Sequence, residues 1–202
     1  MQTFIDHARS LGERIAARDE QREWFGRLAA GQSPQALFIA CSDSRVVPSL
    51  ITGARPGELF ELRTAGNAVP GYHADRPSGE AATIEYAVSV LRVPDIVVCG
   101  HSHCGAIGAR VRGEDLRAVP AVEGWLNSQL PDDLDGLHED ADTEVAAAVQ
   151  RNVREQVERL RAYPCVAERL AAGQLRLHGW FYAVDTGVVL AHQPAADAFL
   201  PL

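Results

Sequence analysis

The sequence predicts an α/β fold, a mainly parallel central sheet flanked by helices, with an antiparallel C-terminal hairpin and an N-terminal helical extension. Three observations predict it. Two short runs, Gln35 to Ala40 and Ile96 to Cys99, are almost wholly apolar, as strands buried on both faces of a parallel sheet are. Segments with helical spacing of apolar residues alternate with such runs. Both runs end abruptly in polar loops, 41–45 and 100–105, and parallel sheets collect their ligand sites beyond the carboxyl ends of strands.

The elements follow in order. From Thr3 to about Ala30, Phe4, Ala8, Leu11, Ile15, Trp24, Phe25 and Leu28 recur at near-helical spacing, and Gly31 ends the pattern. Residues 1–31 are therefore expected as a helical arm and 32–202 as the α/β core of one domain. Gln35 to Ala40 is the first strand, Cys41 to Arg45 a polar loop, and Glu58 to Arg63 a second strand before a Gly/Asn/Pro-rich stretch through Arg76. Ala82, Tyr86 and Val90 mark a helix over Gly79 to Leu91. Pro94-Asp95 introduces the strand Ile96 to Cys99, and the loop after it leads into a helix from about Ala106. Further helices are predicted over Pro120 to Leu130 and Asp140 to Arg161, the latter with Val145, Ala148, Val149, Val153, Val157 and Leu160 as its apolar face. Leu175 to Val184, the turn Asp185-Thr186-Gly187 and Val188 to Ala191 complete a hairpin.

At 202 residues the chain is long enough for one domain with a substantial core. A net charge of -8 argues against general affinity for nucleic acid or anionic membranes. No run of about 18 apolar residues could span a bilayer. The first 31 residues alternate charged and apolar side chains, without the apolar core of a signal peptide, so the expected location is cytoplasmic. Four cysteines are too few for a disulfide scaffold. Cys99 and Cys165 read as small buried hydrophobes, whereas Cys41 and Cys104 stand in the two polar loops.

Those loops carry the chemistry. His101 and Cys104 form H-x-x-C, whose spacing lets one turn present both side chains to a single ion, and Cys41 offers a third ligand from another strand end. Zinc takes such nitrogen and sulfur donors tetrahedrally, and a catalytic site keeps one position open. Asp43 is a fourth ligand or a group just behind the ligands, and Arg45 falls on the same side, where it can clamp Asp43 through a bidentate pair. Taken singly, Cys41 reads as core, Asp43 as a turn cap, and the set as a structural zinc site closed by Asp43. Together, C-x-D-x-R and H-x-x-C at the ends of two buried strands do not resemble core packing.

Ala40-Cys-Ser-Asp-Ser-Arg-Val46 and Gly100-His-Ser-His-Cys-Gly105 resemble the two signature segments of β-class carbonic anhydrases. Pro56-Gly-Glu-Leu-Phe60, Arg63-Thr-Ala-Gly-Asn67, Ile84-Glu-Tyr-Ala-Val88 and Leu177-His-Gly-Trp-Phe-Tyr182 match further landmarks in order, so the resemblance runs from about Gln32 to Ala191. It implies Cys41, His101 and Cys104 as ligands of Zn2+, and Asp43 with Arg45 as a dyad that orients hydroxide on the metal. The implied reaction is reversible hydration of carbon dioxide to bicarbonate and a proton. It further implies a carbon dioxide pocket of Gln32, Phe60, Ala65 and Tyr86, with Val69 beside it, as in the plant-like, open-site subgroup. Phe38 stands where the bicarbonate-regulated subgroup carries Trp, so no regulatory anion site is expected; Thr64 departs from the family's usual Asn. The proton that leaves each cycle is expected to pass through His103, His73 or buffer. The resemblance implies a homodimer or a higher homo-oligomer, with N-terminal helices reaching across. The rival readings are a hydrolase of carbonyl sulfide or carbon disulfide on the same scaffold, and a non-catalytic zinc-binding protein, against which the intact Asp43 and Arg45 speak. Dinucleotide binding lacks a G-x-G-x-x-G turn.

Overall fold

Six strands, β1 (Ala36–Cys41), β2 (Leu59–Thr64), β3 (Asp95–His101), β4 (Arg176–Tyr182), β5 (Val189–Gln193) and β6 (Ala198–Pro201), form one sheet in the order β2-β1-β3-β4-β5-β6. This computed structural model describes residues 1–131, 134 and 141–202, without the side chains of 141–144. The pairs β1·β2, β1·β3 and β3·β4 are parallel, and β4·β5 and β5·β6 are antiparallel. β1 thus has its successor β2 on one side and β3 on the other. The order of strands switches there, so the loops after β1 and β3 flank a crevice.

The chain forms two compact units, Met1–Ser33 and Pro34–Leu202. The first holds α1 (Gln2–Arg9), α2 (Leu11–Ala16) and α3 (Asp19–Leu28), where the periodicity had predicted one continuous helix. Local chemistry breaks it. Ser10 folds its hydroxyl back onto the His7 carbonyl, a competing bond that favours helix ends, and Arg18 is extended at φ -126°, ψ 112°. Every residue of the three helices is exposed or half-buried in the single chain.

In the second unit, α4 (Pro48–Thr52), α5 (Gly79–Glu85), α6 (Gly105–Val111), α7 (Pro120–Gln129), α8 (Ala141–Arg161) and α9 (Pro164–Ala171) complete the fold. The helix expected through Leu91 is regular only to Glu85. From Tyr86 to Val90 it widens into a π turn in which Leu91 N–H reaches the Tyr86 carbonyl, five residues back, at 3.0 Å. Asp140, the expected start of the long helix, lies outside the described residues. Periodicity missed α4, α9 and β6. Both helices open with Pro in the first turn and are followed closely by Gly at positive φ, Gly53 at 71° and Gly173 at 66°; this Pro-first, Gly-last asymmetry was a readable signal.

The main core lies on one face of the sheet, where Leu37, Ile39, Ile96 and Val98 meet Val145, Val149, Val153 and Leu160 of α8. A smaller cluster, Phe38, Ala40, Val46, Val97 and Cys99, faces the other way, with Phe38 edge-on to Trp180. These alternating sets explain why both strands read as continuously apolar. Gly100 sets how close α8 comes. A Cβ there would meet Val149 Cγ1 at 2.5 Å and Val153 Cγ2 at 2.7 Å.

Candidate metal centre

Cys41 is the last residue of β1 and His101 the last of β3; the two strands are hydrogen-bonded neighbours, with Ala40 opposite Cys99. Cys104 follows one turn later, immediately before α6. Residues 63 positions apart in sequence are thereby brought together, and the Cys41 and Cys104 sulfurs lie 4.0 Å apart. Those sulfurs and a His101 ring nitrogen all lie within 4.8 Å of one another, and the three side chains are buried.

The donor set fits zinc. His101 Nδ1 is 2.8 Å from the Ser102 carbonyl, so it carries the proton and donates there, leaving the Nε2 lone pair free. Nε2 is buried, with no hydrogen-bond partner among the described residues. Burying an imidazole nitrogen beside two thiols without a partner is costly unless something coordinates it. Two sulfurs and one nitrogen are the soft-to-borderline donors zinc prefers, and three protein ligands leave a fourth position.

The two thiols face each other as a hydrogen-bonded pair. Cys104, hydrogen-bonded to Cys41, draws the Cys41 thiol well below the usual range, against the opposing effect of burial. Cys41 in turn pushes Cys104 up. The backbones of Asp43 and Gly66 near Cys41, and of Ile107 and Ala106 near Cys104, pull each thiol down. The pair is therefore built to hold negative charge, which a divalent cation would neutralise.

Asp43 does not belong to this three-atom cluster. Its Oδ2 lies 3.9 Å from His101 Nε2, and Arg45 grips both oxygens: Nε and the backbone N–H donate to Oδ1 at 2.9 Å each, and Nη2 donates to Oδ2 at 2.7 Å. The Arg45 guanidinium holds the Asp43 carboxyl well below the usual carboxylate range. Nη2 also donates to the His103 carbonyl at 2.9 Å, tying the loop after β1 to the loop after β3. The bidentate clamp predicted from C-x-D-x-R is present. His103 has an exposed side chain and φ 54°, and His73 is exposed.

Arg63, the first residue of the Arg63-Thr-Ala-Gly-Asn67 landmark, organises the loop. Its guanidinium donates to the carbonyls of Cys41 (2.8 and 3.1 Å), Asp43 (2.7 Å) and Val46 (2.8 Å). No periodic signal marks such a role, since Arg63 alternates with the buried Leu62 and Thr64 as any outward residue of a half-buried edge strand would.

The expected pocket residues separate within one chain. Ala65 lines a cleft of about 350 Å³ with Ser42, Arg63, Thr64 and Trp125, whose indole N–H donates to the Ala65 carbonyl at 3.0 Å. Thr64 accommodates its departure from Asn by donating to the Ala68 carbonyl at 2.9 Å. Phe60 stacks at 6.0 Å on Tyr86, but it pairs with Leu37, four residues before the Cys41–Thr64 pair and so ~13 Å back along the strand. Val69 is buried. Gln32 is exposed near the end of the first unit.

A family model described as carbonic anhydrase matches residues 36–189. The carbonic anhydrase of Pseudomonas aeruginosa is 50% identical over 181 residues, covering 88% of this chain and 82% of that protein. Among solved structures, the β-carbonic anhydrase CcaA superposes with a TM-score of 0.89 at 37% identity, over 100% of this chain and 99% of the other. One described as a tetrameric β-carbonic anhydrase from Sordaria macrospora gives 0.77 at 28% identity, over 95% and 97%.

Proposed function

This chain belongs to the β-class carbonic anhydrases and catalyses the zinc-dependent hydration of carbon dioxide, and from that premise we propose how its residues divide the work. Cys41, His101 and Cys104 hold the zinc. The observation that carries this assignment is the convergence of their donor atoms within 4.8 Å around a buried, unpartnered Nε2. Bound there, zinc supplies the Lewis acidity that makes water a nucleophile at neutral pH, chemistry for which carbonic anhydrases are the standard example.

Asp43 and Arg45 act on the attacking water. Both carboxylate oxygens are occupied by Arg45, so Asp43 stays ionised and is held back from the ligands. Oδ2 retains a lone pair that accepts a hydrogen bond from that water and so turns its oxygen toward carbon dioxide. Arg63 keeps the loop from re-forming around a different carboxylate position, because three of the loop's carbonyls share its one guanidinium. Ala65 offers an apolar wall to an apolar substrate, and Gln32 donates its amide to the oxygen that gains charge. Phe60 and Tyr86, one strand length from their own chain's centre, complete the pocket of a second copy.

The working unit is accordingly a homodimer or higher homo-oligomer in the cytoplasm, each chain one catalytic domain with a helical arm. The test is metal analysis of the purified protein alongside Cys41→Ser, with stopped-flow hydration of carbon dioxide and a parallel assay on carbonyl sulfide. About one zinc per chain, lost with hydration in Cys41→Ser, is the expected result. A full equivalent of zinc in Cys41→Ser removes that residue from the ligand set, and faster turnover of carbonyl sulfide reassigns the substrate.

A further inference from the structure

The turn that follows β2 has a strained backbone. Gly66 and Asn67 lie consecutively at positive φ, 71° and 49°, and the buried Asn67 carboxamide has no hydrogen-bond partner among the described residues. Such a backbone keeps its shape only where its surroundings impose it.

The surroundings are two buried carboxamides on α8. Asn152 Nδ2 donates to the Gly66 carbonyl at 3.0 Å. Gln156 Oε1 accepts from Val69 N–H at 2.7 Å, while its Nε2 donates to Asn152 Oδ1 at 2.9 Å and to the Gln129 carbonyl at 3.0 Å. Both side chains are 0% exposed. The rest of this helix face packs with valines, so packing alone would be served by apolar residues; buried amides are costly unless each polar atom is matched. Here two of their four hydrogen bonds go to the 66–69 turn, one joins the two amides, and one reaches the Gln129 carbonyl.

The other side of that turn meets the metal centre. Thr64, at its root, pairs with Cys41, and its carbonyl accepts from Ser42 N–H at 3.0 Å. The Ala65–Asn67 turn packs against β1, whose last residue is Cys41, and the Gly66 carbonyl is the one that Asn152 holds. Ala65 lines the cleft beside Arg63.

We propose that Asn152 and Gln156 are positioning residues, which fix the 66–69 turn from behind and so hold the Cys41 end of β1 and the Ala65 wall in working geometry. The inference rests on the reading of Cys41 as a zinc ligand. Groups behind metal ligands are known to change metal retention by roughly 10- to 100-fold when removed.

The test uses the zinc-loaded enzyme with Asn152→Leu and Gln156→Met, which keep approximate volume and lose the hydrogen bonds. Val157→Ala is the control, because it trims the same helix on its Gly179 side without touching the turn. Zinc transfer to a chromophoric chelator under native conditions is followed with melting temperature, kcat and KM. Both amide variants should release zinc roughly tenfold faster or more, with a fall in kcat, while Val157→Ala releases it at the parent rate despite a lowered melting temperature. Release from the amide variants at the rate of Val157→Ala overturns the proposal; should Asn152→Leu fail to fold, Gln156→Met decides alone. Cys41→Ser separates the premise from the inference. If it keeps a full equivalent of zinc, the ligand reading fails. If it loses zinc while both amide variants retain theirs like the parent, only the positioning role falls.

Discussion

At the scale of single residues, the centre depends on a short-range device. Asp43 and Arg45 are two positions apart, and the arginine closes on its neighbour through its side chain and its own N–H. A carboxylate 3.9 Å from an imidazole nitrogen of the donor set is near enough to become a ligand if released. In the proposed mechanism Arg45 therefore keeps Asp43 a hydrogen-bond acceptor rather than a metal ligand. Arg45→Ala is expected to retain about one zinc per chain and to lose hydration activity by roughly 10²-fold, the scale of a misplaced proton acceptor. Stopped-flow rates with metal analysis check it; parent-like turnover would remove the dyad from the mechanism. The pair was legible because C-x-D-x-R sets a carboxylate and a guanidinium two positions apart, and a turn closed by Val46 N–H on the Asp43 carbonyl at 3.0 Å brings them together. Arg63 was not, because its three acceptors are backbone carbonyls, which leave no mark in a sequence.

At the scale of elements, close approach and pairing at strand starts hold the sheet in place. Gly100 lets α8 lie directly on β3, one residue before His101. Gly100→Ala would force Val149 and Val153 outward and destabilise the protein by about 1–3 kcal/mol, read as a lower midpoint in urea, with some loss of zinc because His101 moves with the strand. At the opposite end of β3, Asp95 accepts from Arg176 at 2.7 Å at each oxygen and lies 2.7 Å from His178. Arg176, then His178, hold its carboxyl below the ordinary value. A carboxyl depressed in the folded state contributes stability above its unfolded value, and loses it as pH falls through the folded one. Asp95→Asn should thus melt lower at neutral pH by roughly 3 °C, for a partly exposed pair worth about 1 kcal/mol. The gap should close in acid below the ordinary aspartate range; a constant gap across that range would show that the charge is irrelevant. Strand positions were readable because burial on two faces leaves an unbroken apolar run. The break at Ser10 and the π turn after Glu85 were not, because hydrogen-bond choices of single residues override an intact periodicity.

At the scale of the whole molecule, the single chain leaves apolar surface uncovered. Phe4 is 75% and Leu11 46% exposed in the first unit; in the second, Leu50, Tyr86 and Val90 are exposed as well. Large side chains left in water are what the proposed assembly would cover. Phe60 and Tyr86 argue the same from the substrate side, since the pocket assigned to them lies ~13 Å along the strand from their own Cys41. A charged side chain at Phe4 or Leu11 should then disturb assembly and catalysis together, although neither residue belongs to the metal set. Phe4→Glu combined with Leu11→Glu is expected to sediment as a smaller species than the parent. Its zinc should remain near one per chain, because all three donors come from one chain, while hydration per chain falls at low protein concentration and recovers as concentration rises. Analytical ultracentrifugation and activity measured over the same dilution series check this. Activity per chain that stays flat while the assembly dissociates would mean that one copy holds a complete pocket, and would return Phe60 and Tyr86 to a packing role.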